Sequence, residues 1–335
     1  MVETRKVQVT GGSTYTVSIP KGWATDNGVS AGTEVEFYPE GDSLFLTPVS
    51  EEERTEGTLD VGSLAGEELT RAVMTMYVSG FDIIALESSR ITNDQRRTIR
   101  DTVQGLVGLE VLEETRDRVV IRDLLDSSEL SIHNAVTRMR LISLSMLEDA
   151  VAALAEGDTD MSRDVIQRDD DVDRLYMVVS RIFRSTLRTP KAAEEIGLSR
   201  EACFDYHASA RQLERTADHA TKIAHLSLEL DPESSVPTEL VDALEALRTD
   251  AAGVVDEAMD ALFEEDASEA TRTANEARSR VREIDQRARE IDSLLDDLDP
   301  ARAQLLGLVV DSVSRAADYG GNVAETALQK AAPTP

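Results

Sequence analysis

Apolar positions change their period along this chain. Over residues 5–48 they alternate with polar ones, the pattern of half-buried strands. RKVQVTG (Arg5–Gly11) and YTVSIP (Tyr15–Pro20) predict two strands about a Gly-Gly-Ser turn. Pro20 suits the first turn of a short helix, KGWATDN, with Gly28 at its C′ position. EVEFY (Glu34–Tyr38) and SLFLTP (Ser43–Pro48) predict a hairpin around PEGD. About fifty residues of this kind bury little apolar surface alone, so dimerisation is expected.

EEERTEGTLD (51–60) reads as a charged linker running into a strand. Beyond it, Ala65–Gly80 has helical period and Phe81–Ser88 is a buried strand. Thr92–Gly108 is a helix with Thr92 or Asn93 as its cap. LEVLEET and RVVIRDL make a last hairpin, and the β-α-β-α-β-β run predicts a small α/β layer. From Ser131 onward the period is helical throughout. Helices are predicted from Ser131 to Asp158, Met161–Leu187 and Glu201–Leu230. After Pro232 and Pro237 break the chain, they follow at Pro237–Asp266, Ser268–Leu298 and Pro300–Lys330.

The last helix of each set of three says nearly the same thing. QLERTADHATKIAHLSL (Gln212–Leu228) and SVSRAADYGGNVAETAL (Ser312–Leu328) lie 100 positions apart and share Arg215/Arg315, Ala217/Ala317, Asp218/Asp318, Ala224/Ala324 and Leu228/Leu328. EDAVAALAEGD (Glu148–Asp158) likewise aligns with DEAMDALFEED (Asp256–Asp266). A duplicated three-helix unit buries its inner face best against its twin. The predicted architecture is therefore multidomain and mostly α: a β head over 1–50, an α/β layer over 51–127, and a six-helix bundle of two repeats, 131–230 and 236–330.

Charge changes this picture in one respect. The 335 residues carry 65 acids against 35 bases, a net −30, with only five lysines (Lys6, Lys21, Lys191, Lys222, Lys330). The clear helical period argues against a disordered acidic chain. We expect instead a protein of a salt-saturated cytoplasm, where self-repulsion is screened over roughly 3 Å at molar ionic strength. One cysteine, Cys203, allows no intrachain disulfide and reads as a buried thiol. The first residues lack an apolar leader, and no stretch of about 18 apolar residues predicts a membrane span.

Candidate chemistry lies in the bundle. On the third helix His207, Arg211, Glu214, Asp218, Lys222, His225 and Glu229 form one polar stripe, and Asp311, Ser314, Asp318, Asn322, Glu325 and Gln329 form its twin. Asp169, Asp170, Asp171 and Asp173 crowd on the second helix, with Asp169 and Asp173 on one face. Clustered carboxylates repel unless a cation or proton joins them, and oxygen ligands suit hard cations. The candidate metal ligands are Asp169, Asp170, Asp173, Glu214, Asp218 and Asp318, with Fe, Mn, Mg or Zn as the metal. The alternative is a solvated acidic face. Ser314 stands where Glu214 does, and the second copy of the aspartate run reads VREID (Val281–Asp285), so the first half is the better site. Ala217, three positions after Glu214, removes the histidine that a ferritin-type di-iron pair needs. His207, His219 and His225 read as surface or capping residues. There is no Walker loop, no G-x-S-x-G and no dinucleotide fingerprint.

ERTAD (Glu214–Asp218), SRAAD (Ser314–Asp318) and DDDVD (Asp169–Asp173), set in the duplicated helices of 131–330, resemble the PhoU family of phosphate-signalling proteins. That resemblance implies two three-helix repeats whose E/D-x-x-x-D motifs bind metal, and restraint of phosphate uptake through a phosphate transporter ATPase or a signalling protein. GGSTYTVSIPKGWATDNGVSAGTEVEF (Gly11–Phe37) resembles an AbrB/SpoVT-type swapped-hairpin DNA-binding domain. This implies a homodimer whose head meets an operator through Arg5, Lys6, Thr10, Ser13, Thr14, Tyr15 and Lys21. The combination implies an archaeal, salt-loving source. Residues 1–50 hold three bases (Arg5, Lys6, Lys21) and six acids, so phosphate contact rests on few cations and on groove shape.

Three readings follow. The first is a cytoplasmic dimeric transcription regulator of phosphate homeostasis. The second is an adaptor that never touches DNA. The third is a metal-dependent enzyme, placed last because no nucleophile or oxyanion site accompanies the carboxylates. The expectation is that the chain is not an enzyme.

Overall fold

A computed structural model describes residues 3–49, 54–124, 131–230 and 236–333 of the 335. The chain forms two compact units, 1–54 and 55–335.

In the first unit, β1 (Gln8–Thr10) pairs antiparallel with β2 (Thr14–Thr16), with Val9 opposite Tyr15. The turn takes Gly11 and Gly12 at φ 65 and 80, a region that favours glycine. Pro20 caps α1 (Lys21–Asp26) rather than occupying its first turn. Then β3 (Val35–Glu40) and β4 (Ser43–Pro48) form the second hairpin. Among the described residues of this unit Tyr38 alone is a buried apolar side chain. Val7, Val9, Tyr15, Val17, Phe37 and Leu44 are all more than half exposed.

The second unit opens with a four-stranded sheet in the order β5-β6-β8-β7. Its strands are β5 (Glu56–Asp60), β6 (Ile83–Glu87), β7 (Leu109–Glu114) and β8 (Arg118–Asp123). β5 runs parallel to β6, joined by α2 (Gly66–Val78), and the rest is antiparallel. Leu69, Val73 and Tyr77 of α2 and Ile99 and Val103 of α3 (Asn93–Gln104) form a core with Ile84, Leu86, Val119 and Ile121. Thr92 and Gln95 close a capping box at the start of α3. α3 ends at Gln104, short of Gly108, because Gly105 caps it and Gly108, at φ 80, turns the chain into β7. Of the expected linker, 51–53 lie outside the described residues and Glu56 already begins β5.

The helices follow as α4 (Ile132–Glu156), α5 (Thr159–Arg188), α6 (Pro190–Ile196), α7 (Arg200–Glu229), α8 (Thr238–Phe263), α9 (Ala267–Leu295) and α10 (Pro300–Ala331). One continuous core runs through the bundle from Ile132 to Ala327. The duplication shows in the caps. Asp158 and Asp266 start the second helix of each repeat and accept two backbone N–H bonds each, 108 positions apart. Ser199 and Asp299 start the third, 100 positions apart. The short α6 was not foreseen. Thr189 caps it, Pro190 opens it and Gly197 at φ 72 ends it, between α5 and α7 where the second repeat passes through residues 296–299. Pro232 lies outside the described residues.

The sheet layer is fastened to α5. Arg181 donates to the carbonyl oxygens of Tyr77 (2.6 Å) and Phe81 (3.1 Å), pairs with Asp123 (2.6 Å) and Asp82 (3.2 Å), and lies over the Tyr77 ring. Arg174 adds a bond to the Gly105 carbonyl. No helix among the described residues is long and apolar enough to cross a membrane.

Candidate functional site

α5 buries Val165, Val172 and Val179 along one seam, and α7 buries Leu213, Ala217, Ala220 and Ala224 along another. Helical geometry then places Asp169 and Asp173 beside the first seam, and Glu214 and Asp218 beside the second. The four carboxylates face one another between these two helices. Burial, then Asp173 and Asp218, raise Asp169 to about 6. Burial, then Asp218, raise Glu214 to about 7, against the pull of Arg211. Asp173 is raised as well, by burial first and then by Asp218 and Asp170. Asp170 is exposed at the rim.

Arg211 donates to one Glu214 oxygen at 2.7 Å and lies over the Tyr176 ring. The other oxygen, Oε2, is buried and has no hydrogen-bond partner among the described residues, although Glu214 is only 8% exposed. Among the described residues no three carboxylate, histidine or cysteine groups are drawn to ligating distance. The donor chemistry nonetheless fits a hard cation. Hydrated carboxylates would separate, whereas these share one partly buried seam with an orphaned oxygen among them. Asp169, Asp173, Glu214 and Asp218 would hold such an ion.

Asp318 does not join this cluster. It lies in a second one, where burial and then Asp285 raise its pKa, while Arg315 opposes. Ser314 donates to Asp285 at 3.3 Å. Of the six predicted ligands, four therefore share one cluster, Asp170 stands at its rim, and Asp318 belongs to a second cluster in the other repeat. Asp285 was legible only as the last letter of VREID, and Asp311 only as a member of the polar stripe.

The two sites flank the contact between α7 and α10. His219 Nε2 meets the Tyr319 hydroxyl at 3.0 Å, and these positions are equivalent in the two repeats. The local two-fold axis therefore passes between them. Gln212 also accepts a bond from Asn322 at 3.1 Å. His219 is half-buried, and burial followed by Lys222 lowers its pKa. His207 is stacked between Phe183 and Tyr176. Neither is the surface or capping residue expected, because each lies in an interhelical seam whose aromatic neighbours are far away in sequence. His225 is exposed, and Cys203 is buried, which pushes its thiol up to about 11.

In the head, Thr10, Ser13, Thr14, Tyr15 and Lys21 are all exposed, and the Thr10 hydroxyl lies 3.0 Å from that of Thr16. Arg5 is paired with Glu3, and Lys6 beside it is exposed. The β1–β2 hairpin thus gathers Thr10, Ser13, Thr14 and Tyr15 at its tip.

Residues 136–227 match the family model of the PhoU domain, and residues 8–54 match that of the antidote-toxin recognition MazE, bacterial antitoxin. No curated protein matches the chain. The solved structure of PhoU from Pseudomonas aeruginosa is similar at 22% identity and a TM-score of 0.49, over 59% of this chain and 93% of that one. That of the phosphate transport system regulatory protein PhoU from Streptococcus pneumoniae is similar at 17% identity and 0.43, over 59% and 91%. The first match spans α4 to α7, which hold the four-carboxylate cluster, and the second spans the exposed hairpins. In sequence order, the chain carries a head similar to the MazE antitoxins and then a PhoU-like helical domain.

Proposed function

We propose that this chain is a dimeric transcription regulator of phosphate homeostasis, with a head that binds an operator and a bundle that reports phosphate status through a bound metal ion or a protein partner. The observation that carries the reading is the unfinished head. Val7, Val9, Tyr15 and Val17 make an alternating apolar row that one copy leaves in solvent, and a second copy exchanging hairpins would bury it. The MazE match and the AbrB resemblance favour the same arrangement. A dimer doubles the three bases of the head and presents two hairpin tips at a fixed spacing, the geometry an operator half-site pair requires.

In the bundle, a hard cation would neutralise Asp169, Asp173, Glu214 and Asp218, draw α5 and α7 together and favour one packing over another. A ligand with such a preference shifts the population of states. The PhoU-domain match favours a regulator over an enzyme.

The deficit of bases, with Arg5 already paired to Glu3, favours a second reading: an adaptor that docks on a transporter ATPase or signalling protein and never touches DNA. Binding of the full chain to upstream fragments of its own genome in molar KCl separates the two. Arg5→Ala with Lys6→Ala is expected to abolish retention of specific fragments and leave the dimer intact. If the unaltered chain retains no fragment, the adaptor reading takes its place.

A further inference from the structure

α3 carries its cations where its own dipole does not favour them. Arg96 and Arg97 come in its N-terminal half, Arg100 follows one turn on, and the last turn holds no base. Successive residues of a helix turn by about 100°. Arg96, Arg100, Asn93, Gln104 and Arg97 therefore follow one another around about 100° of α3 with no acid among them, and Asp94 and Asp101 lie beyond Arg97.

Two more arginines join this face at the end of the sheet. Arg96 pairs with Glu114 (2.8 Å) and donates to the Thr115 carbonyl oxygen, which ties α3 to the turn between β7 and β8. The Ile91 N–H donates to the Arg116 carbonyl oxygen (3.0 Å), which ties the loop before α3 to the same turn. Arg90 and Arg116 thus stand on neighbouring segments at one corner of the layer. Arg100 shares Glu114 with Arg96, at 2.7 Å, so one carboxylate serves two guanidinium groups. Arg90, Arg97 and Arg116 are exposed and enter no ion pair among the described residues. On a chain where acids outnumber bases 65 to 35, three unpaired cations at one corner are cations that the fold itself does not use.

We infer that this arginine corner of the α/β layer binds the phosphate backbone of duplex DNA, a sequence-independent contact additional to that of the head. The choice of partner rests on the regulator reading. A chain of net charge −30 is repelled by DNA over most of its surface, so a polyanion approaches best where cations are gathered and acids are few. The head alone brings three bases to a duplex. Arginine suits the task in molar salt, because its planar fork donates two hydrogen bonds to one phosphate at contact, where long-range attraction is already screened. Such contacts position a protein on the duplex and leave the reading of sequence to other groups.

Duplex binding by the full chain tests this, read as fluorescence anisotropy while KCl is varied through the molar range. Arg90→Gln with Arg97→Gln and Arg116→Gln is compared with Arg138→Gln, Arg184→Gln and Arg282→Gln, which remove three exposed arginines of the bundle and change the net charge equally. The first variant is expected to bind an upstream fragment of its own genome and an unrelated duplex alike about tenfold more weakly, with the slope of log K against log[KCl] shallower by about three. The second should move neither. Lysine at positions 90, 97 and 116 should restore the slope, since it also neutralises a phosphate. If the two glutamine variants bind alike, the inference falls, while the regulator reading stands as long as the unaltered chain prefers the upstream fragment. If that preference is absent but the difference in slope persists, the regulator reading falls and the arginine contact remains. No duplex binding at all overturns both. A loss seen only with phosphatidylglycerol vesicles overturns the inference as well, because the corner would then face lipid.

Discussion

The two repeats keep the same skeleton and differ in what they set upon it. The second helix of each repeat starts on an aspartate cap, the caps of the third helices lie 100 positions apart, and the apolar seams match. Yet the first copy places Asp169, Asp173, Glu214 and Asp218 together, where the second has Val281, Asp285, Ser314 and Asp318. The first copy fills its outer groove with aromatic rings, and the second leaves it hollow. Helix packing therefore sets where a site can be, and a few substitutions on α5 and α9 decide whether carboxylates crowd there. Duplication supplied two frames, and the crowded, partly buried carboxylates concentrate in one of them.

The largest difference lies at Arg181, whose counterpart on α9 is Ser293. Arg181 is a buried cation paired with the buried Asp123 and bonded to two carbonyl oxygens. Arg181→Ala would break the ion pair with Asp123 and remove both bonds to the Tyr77 and Phe81 carbonyls, and a loss of about 3–5 kcal/mol is expected in urea unfolding at high salt. Ser293→Ala should change stability by less than about 0.5 kcal/mol. Equal effects would mean that the sheet layer does not depend on α5.

Next comes the contact of each third helix with the first helix of its repeat. Gly320 packs so closely on α8 that a Cβ would lie 2.8 Å from the Val255 nitrogen and 2.9 Å from its Cα. Backbone cannot yield as a side-chain tip can, so Gly320→Ala should cost about 1–3 kcal/mol. Its twin is Ala220, also buried. There the reverse change, Ala220→Gly, should cost about 1 kcal/mol through helix propensity alone. Thermal unfolding of both variants reads the asymmetry.

The carboxylate clusters can be exchanged in part. Glu214→Gln should lower manganese bound at pH 7.5 by about tenfold or more in equilibrium dialysis. Ser314→Glu restores to the second copy the acid it lacks and should raise binding there. Unchanged metal content in both variants would leave two solvated acidic faces. Protons compete for the same oxygens. Folding raises Asp169 from 3.8 to about 6 and Glu214 from 4.5 to about 7. A raised carboxylate stabilises the fold in its protonated form. That contribution is complete below about pH 4 and is lost as pH rises towards 7. In chelator, the melting temperature of Asp169→Asn with Glu214→Gln should therefore gain on the unaltered chain between pH 4 and 7 and hold that gain above it. A constant difference would show that the two carboxylates are not raised.

Much of this architecture was legible because helical period and caps are local signals. Ser131 before an apolar run, Thr92 three residues before Gln95, and Pro300 at a helix start each point to an element boundary that the structure keeps. What escaped depends on contacts distant in sequence. α6 is seven residues long, too short to show a period. Arg181 is one arginine among many until the sheet layer folds against it. The division of Asp318 from Asp218 needed the interhelical geometry, since the 100-residue repeat makes them look alike.

The smallest expected effect is also the strictest control on the comparison. Asp158 accepts from the backbone nitrogens of Asp160 and Met161, and Asp266 from those of Ser268 and Glu269, in both cases at 2.9–3.0 Å. Each satisfies two of the orphaned donors of its helix and places a negative charge at the positive end of the dipole. Asp158→Ala and Asp266→Ala should therefore cost about 1 kcal/mol each, equal within about 0.5 kcal/mol, because the frame is the same even where the chemistry is not. Losses that differ by more than this in parallel urea titrations would mean that the copies have diverged in the frame as well, and the contrast between their carboxylate clusters would lose its common reference.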